Sequence, residues 1–286
     1  MTDIIVVEGL VKRFNGKAAV DGIDLTVKEG EIFGFLGPNG AGKTTTVRMI
    51  TTLTDHDEGR IVVCGYDIDK NPTEAKEHMG MIQQSITLDR DLTVWENLTQ
   101  HGRYHCMTKA ERNARIEEIY DIFDLWSYSG YQINSLSGGW KKKVSIACAL
   151  MHSPDILFLD EPTAGLDIQS RRLLWDLIKE LHAHGKTVFL TTHYIEEAQA
   201  LCDRVAFIDR GKIIANGTPA ELIEGIGKFT VEFTDEKTRT QYRHFPHRDD
   251  AVAFMETLSS KDDILIRRTN LEDAFVELTG KTVGGA

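Results

Sequence analysis

Short apolar runs alternate with helix-period segments along most of the chain. Ile4 to Val7 reads as a strand, and Gly22 to Val27 alternates apolar and polar positions as a half-buried strand does. Ile32 to Leu36 is an apolar run that meets a glycine cluster and then a helical pattern. From about Thr93 to Gln132 the strand signal fades, and Ile116, Ile119, Tyr120 and Phe123 recur at helix spacing. Ile156 to Leu159 then predicts a buried strand, and Leu174, Leu177, Ile178 and Leu181 the apolar stripe of a helix ending at Gly185. A strand at Val188 to Thr191 and a helix at Ile195 to Leu201 follow. Two further strands, Val205 to Ile208 and Lys212 to Ala215, flank the Asp209-Arg210-Gly211 turn. Thr218-Pro219-Ala220-Glu221 is a capping box with proline at the first helical position. After about Gly227 the rhythm restarts: strand near Phe229 to Phe233, helix near Ala251 to Leu258, strand at Ile264 to Arg267, helix from Asn270 to Leu278. The pattern predicts an α/β domain over residues 1–226, with a helical subdomain at about 93–140, and a small α+β appendage over 227–286.

Composition narrows the functional classes. A formal charge of −11 over 286 residues argues against a long basic surface for a nucleic-acid backbone. No stretch approaches the roughly 18 consecutive apolar residues of a membrane helix. The opening MTDIIVVEGL carries acids where a secretory signal carries bases, so a cytoplasmic location is expected. Cys64, Cys106, Cys148 and Cys202 include no C-x-x-C pair and read as free thiols packed as small hydrophobes. His101 and His105, four apart beside Cys106, have metal-ligand spacing, but no carboxylate or further Cys/His cluster completes that set.

The candidate chemistry begins at Gly37-Pro38-Asn39-Gly40-Ala41-Gly42-Lys43-Thr44, which fits the phosphate-loop pattern G-x-x-x-x-G-K-[ST] between a strand and a helix. Glycines let the backbone wrap closely so that consecutive N–H groups face phosphate oxygens. The helix that follows, which includes Thr45, offers its positive end to the same anion. Lys43 can reach the outer phosphates, and the Thr44 hydroxyl can hold Mg²⁺. Ile156-Leu157-Phe158-Leu159-Asp160-Glu161 delivers two carboxylates to the crevice end of a buried strand. Asp160 is placed to organise Mg²⁺ and Glu161 to act as general base.

From about Ile4 to Ala215 the chain resembles the ATP-binding cassette (ABC) ATPases, with that family's motifs in their usual order. Leu136-Ser137-Gly138-Gly139-Trp140 is similar to the family signature, with tryptophan where glutamine is usual. Ser137 is a good N-cap there, and two glycines expose backbone N–H groups. The resemblance implies a phosphate-loop NTPase fold in which Ser137, Gly138 and Gly139 contact ATP bound by an opposite subunit. It further implies that Gln84 touches Mg²⁺, that Asp167 lies in a loop linking two ATP sites, that His193 contacts the γ-phosphate and that Phe14 stacks on adenine. ATP and Mg²⁺ are then the cofactors, and a homodimer, or a heterodimer with a related ATPase, is the closed state.

The run Arg267 to Gly280 resembles the tail of ATPases from the daunorubicin-resistance (ABC-2 type) group of drug and lipid exporters. That implies an exporter engine on the inner face of the membrane, joined to a separate polytopic permease, with no nucleic acid among its partners. A soluble ABC ATPase acting on ribosomes or DNA is the alternative, and import is a third reading; the cargo lies beyond what this chain encodes.

Overall fold

The computed structural model describes residues 2–83, 87–234, 239–258 and 264–280. Two long strands open it, β1 (Asp3–Phe14) and β2 (Lys17–Lys28), joined at Asn15-Gly16. Both turn residues have positive φ, 50° and 78°, which a two-residue hairpin turn matched to strand twist requires. The chain then crosses to β3 (Ile32–Leu36), passes the phosphate loop and enters α1 (Lys43–Ile50). β4 (Glu58–Val63) and β5 (Tyr66–Asp67) return to complete an antiparallel sheet ordered β2-β1-β4-β5. α2 (Pro72–Glu77) leads into the second sheet.

The second sheet contains β6 (Met79–Ile82), β7 (Ile156–Asp160), β8 (Thr187–Thr192), β9 (Arg204–Asp209) and β10 (Lys212–Gly217), with β3 inside it. Its order is β10-β9-β3-β8-β7-β6, all parallel except the edge strand β10. Every residue of β3, β7 and β8 is buried, as expected for parallel strands covered on both faces. Alternation sorts their side chains into two cores. Phe33, Phe35, Phe158 and Phe189 point toward the antiparallel sheet, with Phe189 5.5–5.8 Å from each of the others. Leu36, Leu157, Leu159, Val188 and Leu190 point the other way, into a helical layer.

That layer comprises α3 (Val94–Tyr104), α4 (Lys109–Ile122), α5 (Gly138–Ala149), α6 (Ile168–Ala183) and α7 (Ile195–Leu201). Thr93 with Glu96, and Thr108 with Glu111, form reciprocal capping boxes that fix where α3 and α4 begin. The stripe Ile116, Ile119, Tyr120 and Phe123 is fully buried. Cys148 and Cys202 are buried, whereas Cys106 is exposed and Cys64 lies between those extremes. The His105 ring stacks on that of His152 at 3.8 Å.

After α8 (Pro219–Ile226), β11 (Phe229–Thr234), β12 (Thr240–Phe245) and β13 (Leu265–Arg268) form a small antiparallel sheet ordered β12-β11-β13. α9 (Arg248–Thr257) covers it through Phe254, which meets Phe233 and Phe245. The final helix, α10 (Leu271–Thr279), instead joins the main core through Leu271, Ala274 and Phe275. The Phe275 ring stands edge-on to Phe207 of β9 at 5.1 Å, and the Leu271 N–H donates to Gln199 Oε1 at 3.0 Å. Leu278 is exposed, so the apolar face of α10 stops a turn earlier than its spacing suggests. Truncating the buried Phe275 is expected to cost about 3–5 kcal/mol. Urea unfolding of Phe275→Ala measures that loss, and a cost below about 1 kcal/mol contradicts the docking of α10 on the core.

Candidate functional site

The loop after β3 holds its shape through two glycines that nothing larger could replace. A Cβ at Gly37 would lie 2.2 Å from the Ile208 carbonyl oxygen, and one at Gly42 would lie 2.6 Å from that of Ala19. Gly42 also sits at φ 115°, a backbone region that disfavours side chains. α1 starts directly behind at Lys43, so its unpaired N–H groups and positive dipole end face the loop. A cleft of about 430 Å³ opens there, lined by Asn39, Gly40, Gly42, Lys43, Thr44 and Thr45 on one wall and by Glu161 and His193 on the other. The phosphate loop and the end of β7 thus form one site.

Lys43 is buried, and its ammonium donates to the Gly37 carbonyl at 2.7 Å and the Pro38 carbonyl at 3.2 Å, with Glu161 Oε1 at 3.4 Å. Burial pulls its pKa below the usual lysine value, while the Glu161 and Asp160 carboxylates oppose the fall. Asp160 is buried at the end of β7, accepting from Thr191 Oγ1 at 2.5 Å and Thr44 Oγ1 at 3.3 Å. A hydroxyl beside a buried carboxylate is an all-oxygen donor set of the kind Mg²⁺ prefers, so these residues fit that ion. Glu161 adopts φ 46°, an uncommon conformation for a non-glycine residue. Two bonds hold it there, since its N–H donates to both the carbonyl and the hydroxyl of Thr191 at 3.1 Å. Its carboxylate lies 3.2 Å from His193 Nδ1, at ion-pair distance without hydrogen-bond alignment. A strained, fixed carboxylate opposite a phosphate-binding loop can accept a proton from water at a bound phosphoryl group.

The structure leaves other sequence-derived candidates apart from this cleft. Ser137 caps α5, accepting from the Trp140 N–H at 3.5 Å, and with Gly139 it lines a second cavity beside Ser170 and Leu173 of α6. Asp167 caps α6 by accepting from the Ser170 N–H at 2.8 Å. Phe14 is half exposed at the end of β1, with the Lys12 ammonium 5.6 Å from its ring centre. Ala41 is buried behind the loop, and Gln84 lies outside the described residues.

Sequence reasoning gave no separate role to Lys142, the middle of the three lysines Lys141 to Lys143 that follow the signature. It is buried in the first turns of α5, and its ammonium donates to the Gln83 carbonyl at 3.0 Å, tying the signature helix to the end of β6. A signal existed: three lysines near a helix N-terminus oppose the helix dipole and call for a specific partner. Burial lowers the Lys142 pKa to about 8, with the Asp160 charge acting in the opposite sense.

A strand, a glycine-framed loop, a helix start and a carboxylate pair at the end of β7, a parallel strand of the same sheet, define a phosphate-loop nucleotide hydrolase. The antiparallel sheet on one face and the helical layer carrying Ser137-Gly138-Gly139 on the other narrow that class, and this chain belongs to the ABC transporter family as an ATP-binding, ATP-hydrolysing cassette. The family's model, described as ABC transporter, matches residues 20–164. The Nod factor export ATP-binding protein I of Cupriavidus metallidurans is 39% identical, the match covering 98% of this chain and 99% of that protein. The linearmycin resistance ATP-binding protein LnrL of Bacillus subtilis is 36% identical over 96% and 98%. Among solved structures, cbiO1 of Clostridium perfringens, part of the ABC transporter complex cbiONQ, superposes with a TM-score of 0.73 at 29% identity, over 78% of this chain and 91% of that one. The cassette MJ0796, solved as a dimer in a post-hydrolysis state with ADP and phosphate, gives 0.66 at 27% identity, over 75% and 98%. Among the described residues no helix is long and apolar enough to cross a membrane.

The Lys142 environment makes a pH-dependent expectation. Its folded pKa of about 8 lies below the unfolded value of about 10.4, so between those values the unfolded chain binds more protons. Its contribution to stability therefore rises with pH across that window. Relative to Lys142→Met, wild-type protein is expected to gain up to about 1.4 kcal/mol per pH unit there. Urea unfolding of both proteins at the two ends of the window measures it, and a difference that does not move with pH contradicts the buried ammonium.

Proposed function

We propose that this chain is the ATP-hydrolysing subunit of an exporter, closing as a dimer on ATP and driving a separate polytopic membrane permease. The observation that carries the reading is the division of labour between two cavities. Lys43, Thr44, Glu161 and His193 share one cleft, while the signature residues Ser137 and Gly139 open onto another. A helix N-terminus that does not face its own chain's phosphate loop is available to the loop of a second copy. Two chains related head to tail then build two composite sites, each with Asp167 near the junction. A related ATPase could supply the second chain.

In this reading residues 1–226 form the ATP-binding unit, with the helical subdomain at about 93–140, and residues 227–286 an appendage fastened by α10. The N–H groups of the loop from Gly37 to Thr45 and the Lys43 ammonium bind the β- and γ-phosphates. Glu161 takes the proton of the water that attacks the γ-phosphorus, the bond to the β-phosphate oxygen breaks, and ADP and phosphate result. His193 orients the γ-phosphate against that water. Thr44 and Asp160, with Gln84, would hold Mg²⁺, which when bound neutralises charge on the phosphate oxygens. Phe14, half exposed at the end of β1, is assigned to the adenine by the family resemblance. Loss of the γ-phosphate removes the contact that holds the two chains together, and the dimer opens.

Export, rather than import or a soluble role, is supported by the two relatives described above, one in Nod factor export and one in linearmycin resistance, each matched over nearly its whole length. The chain's net negative charge argues against a long basic surface for nucleic acid. Its place is then the inner membrane face, held there through the permease. The cargo is that partner's choice, since this subunit meets nucleotide alone.

Glu161→Gln is expected to bind ATP normally, to lose about 10²–10⁴ in turnover and to elute as a dimer with ATP. Undiminished turnover by that variant removes Glu161 from the role of base. Lys43→Ala is expected to lose at least about tenfold in nucleotide affinity or turnover, because it deletes charge-assisted bonds of about 1.5–3 kcal/mol each. Wild-type behaviour of both sets the site assignment aside, whatever the membrane partner proves to be.

A further inference from the structure

Three side chains of different chemistry converge at the opposite ends of β6 and β7 from the nucleotide cleft. Cys64 stands in the hairpin turn between β4 and β5, His78 closes α2 immediately before β6, and Asp155 immediately precedes β7. One sulfur, one imidazole nitrogen and one carboxylate oxygen from them lie within 4.8 Å of one another. The His78 and Asp155 side chains are 2.5 Å apart at Nδ1 and Oδ2. We propose that Cys64, His78 and Asp155 form a binding site for a borderline-soft divalent cation of the Zn²⁺ kind.

The backbone fixes each donor before any ion arrives. Val63 pairs with Tyr66 across the turn, and Cys64 and Gly65 take φ values of 51° and 82°. That turn type favours Asn, Asp or Gly at its first position, yet cysteine occupies it and turns its thiol toward His78. The Cys64 N–H donates to the Ile4 carbonyl at 2.7 Å, pinning the turn to β1. The N–H groups of Asp155 and Ile156 donate to the His78 carbonyl at 3.0 and 3.1 Å, so those two donors move together. Tyr66 stacks on the His78 ring at 5.4 Å and restricts its rotation.

Charge and donor type select the ion. The negative charges of Asp155 and Glu29 near the thiol attract a dication, which replaces the thiol proton on binding. Sulfur, nitrogen and oxygen donors suit Zn²⁺ or Cd²⁺, whereas Mg²⁺ and Ca²⁺ take oxygen throughout. Tetrahedral donors at bond lengths of about 2.0–2.3 Å stand farther apart than the 2.5 Å between His78 Nδ1 and Asp155 Oδ2, so that hydrogen bond must open and the carboxylate re-aim at the ion. Asp155, more than half exposed, has the freedom to swing in, and the same side is the route of entry. Three protein donors leave the fourth position to water. Such an ion staples the β4–β5 hairpin of one sheet to the β6–β7 edge of the other.

Cadmium is the probe, because its bond to a thiolate gives a charge-transfer band in the ultraviolet. The titration uses full-length Cys106→Ser protein, which removes the exposed competing thiol, after treatment with a chelator. One Cd²⁺ per chain, with the band appearing and Zn²⁺ erasing it in competition, is the expected result. The bound ion should also raise the melting temperature by a few degrees. Adding Cys64→Ser should abolish the band, and adding His78→Gln or Asp155→Asn should weaken binding at least tenfold, with ATP turnover reporting that each variant is folded. No band in the Cys106→Ser protein overturns the site. So does unchanged binding in folded His78→Gln and Asp155→Asn variants, which would reduce Cys64 to an isolated thiol.

Discussion

The whole cleft at the phosphate loop depends on a close three-way contact that only glycine permits. Gly37 rests against the Ile208 carbonyl of β9, and Gly42 and Gly211 both press on the Ala19 carbonyl of β2. The Gly211 N–H donates to the Ala41 carbonyl, and the Asp21 N–H to the Gly211 carbonyl, each at 2.9 Å. The phosphate loop is therefore clamped between the antiparallel sheet and the β9–β10 hairpin. A side chain at any of these glycines would lift the loop from both sheets and swing its N–H groups away from a common centre. Preorganisation of this sort is what gives backbone amides their strength toward an anion, since little reorganises when charge arrives.

The clamped loop then fixes the balance of buried charge. A buried ammonium is costly unless paired, and Lys43 meets two backbone carbonyls and the Glu161 carboxylate. Glu161 in turn sits at positive φ because Thr191, on the neighbouring parallel strand, receives its N–H twice. Thr191 also donates its hydroxyl to Asp160. One threonine thus sets both carboxylates, and the register of β7 against β8 is part of the chemistry. Slipping that pairing by one residue would turn Thr191 to the other face of the sheet.

Much of this was legible in the chain, and the remainder was hidden for identifiable reasons. β3, β7 and β8 announced themselves as apolar runs because parallel strands are covered on both faces. β1 was legible only over its first residues. Its pairing with β2 shifts between Val7 and Leu10, and the irregularity at Glu8-Gly9 breaks the alternation. β12 is almost wholly exposed and α2 buries only Ala75, so neither carries a periodic apolar signal. β4 and β5 are joined by Cys64-Gly65 and escaped notice, whereas the Asp209-Arg210-Gly211 turn was visible from its flanking apolar strands. The phosphate loop and the β7 carboxylates were readable because their chemistry is contiguous in sequence. Lys142 with Gln83, and Cys64 with His78 and Asp155, are assembled by topology and leave no contiguous motif.

Trp140 shows how a departure from a family pattern can be absorbed. Its ring does not extend along the free end of α5. It packs on Tyr128 at 4.0 Å, with the Lys143 ammonium 4.6 Å from its centre, a cation–π pairing one turn along the helix. The side chain thus fastens α5 to the Trp126–Tyr128 turn of the helical layer. The N-terminal end of the helix is formed by Ser137, Gly138 and Gly139, with the Ser137 hydroxyl as its cap. Because Lys142 holds the same helix to β6 from another side, α5 is anchored to both the helical layer and the parallel sheet. Any displacement of α5 from the sheet must therefore either carry Gln83 with it or break the Lys142 bond.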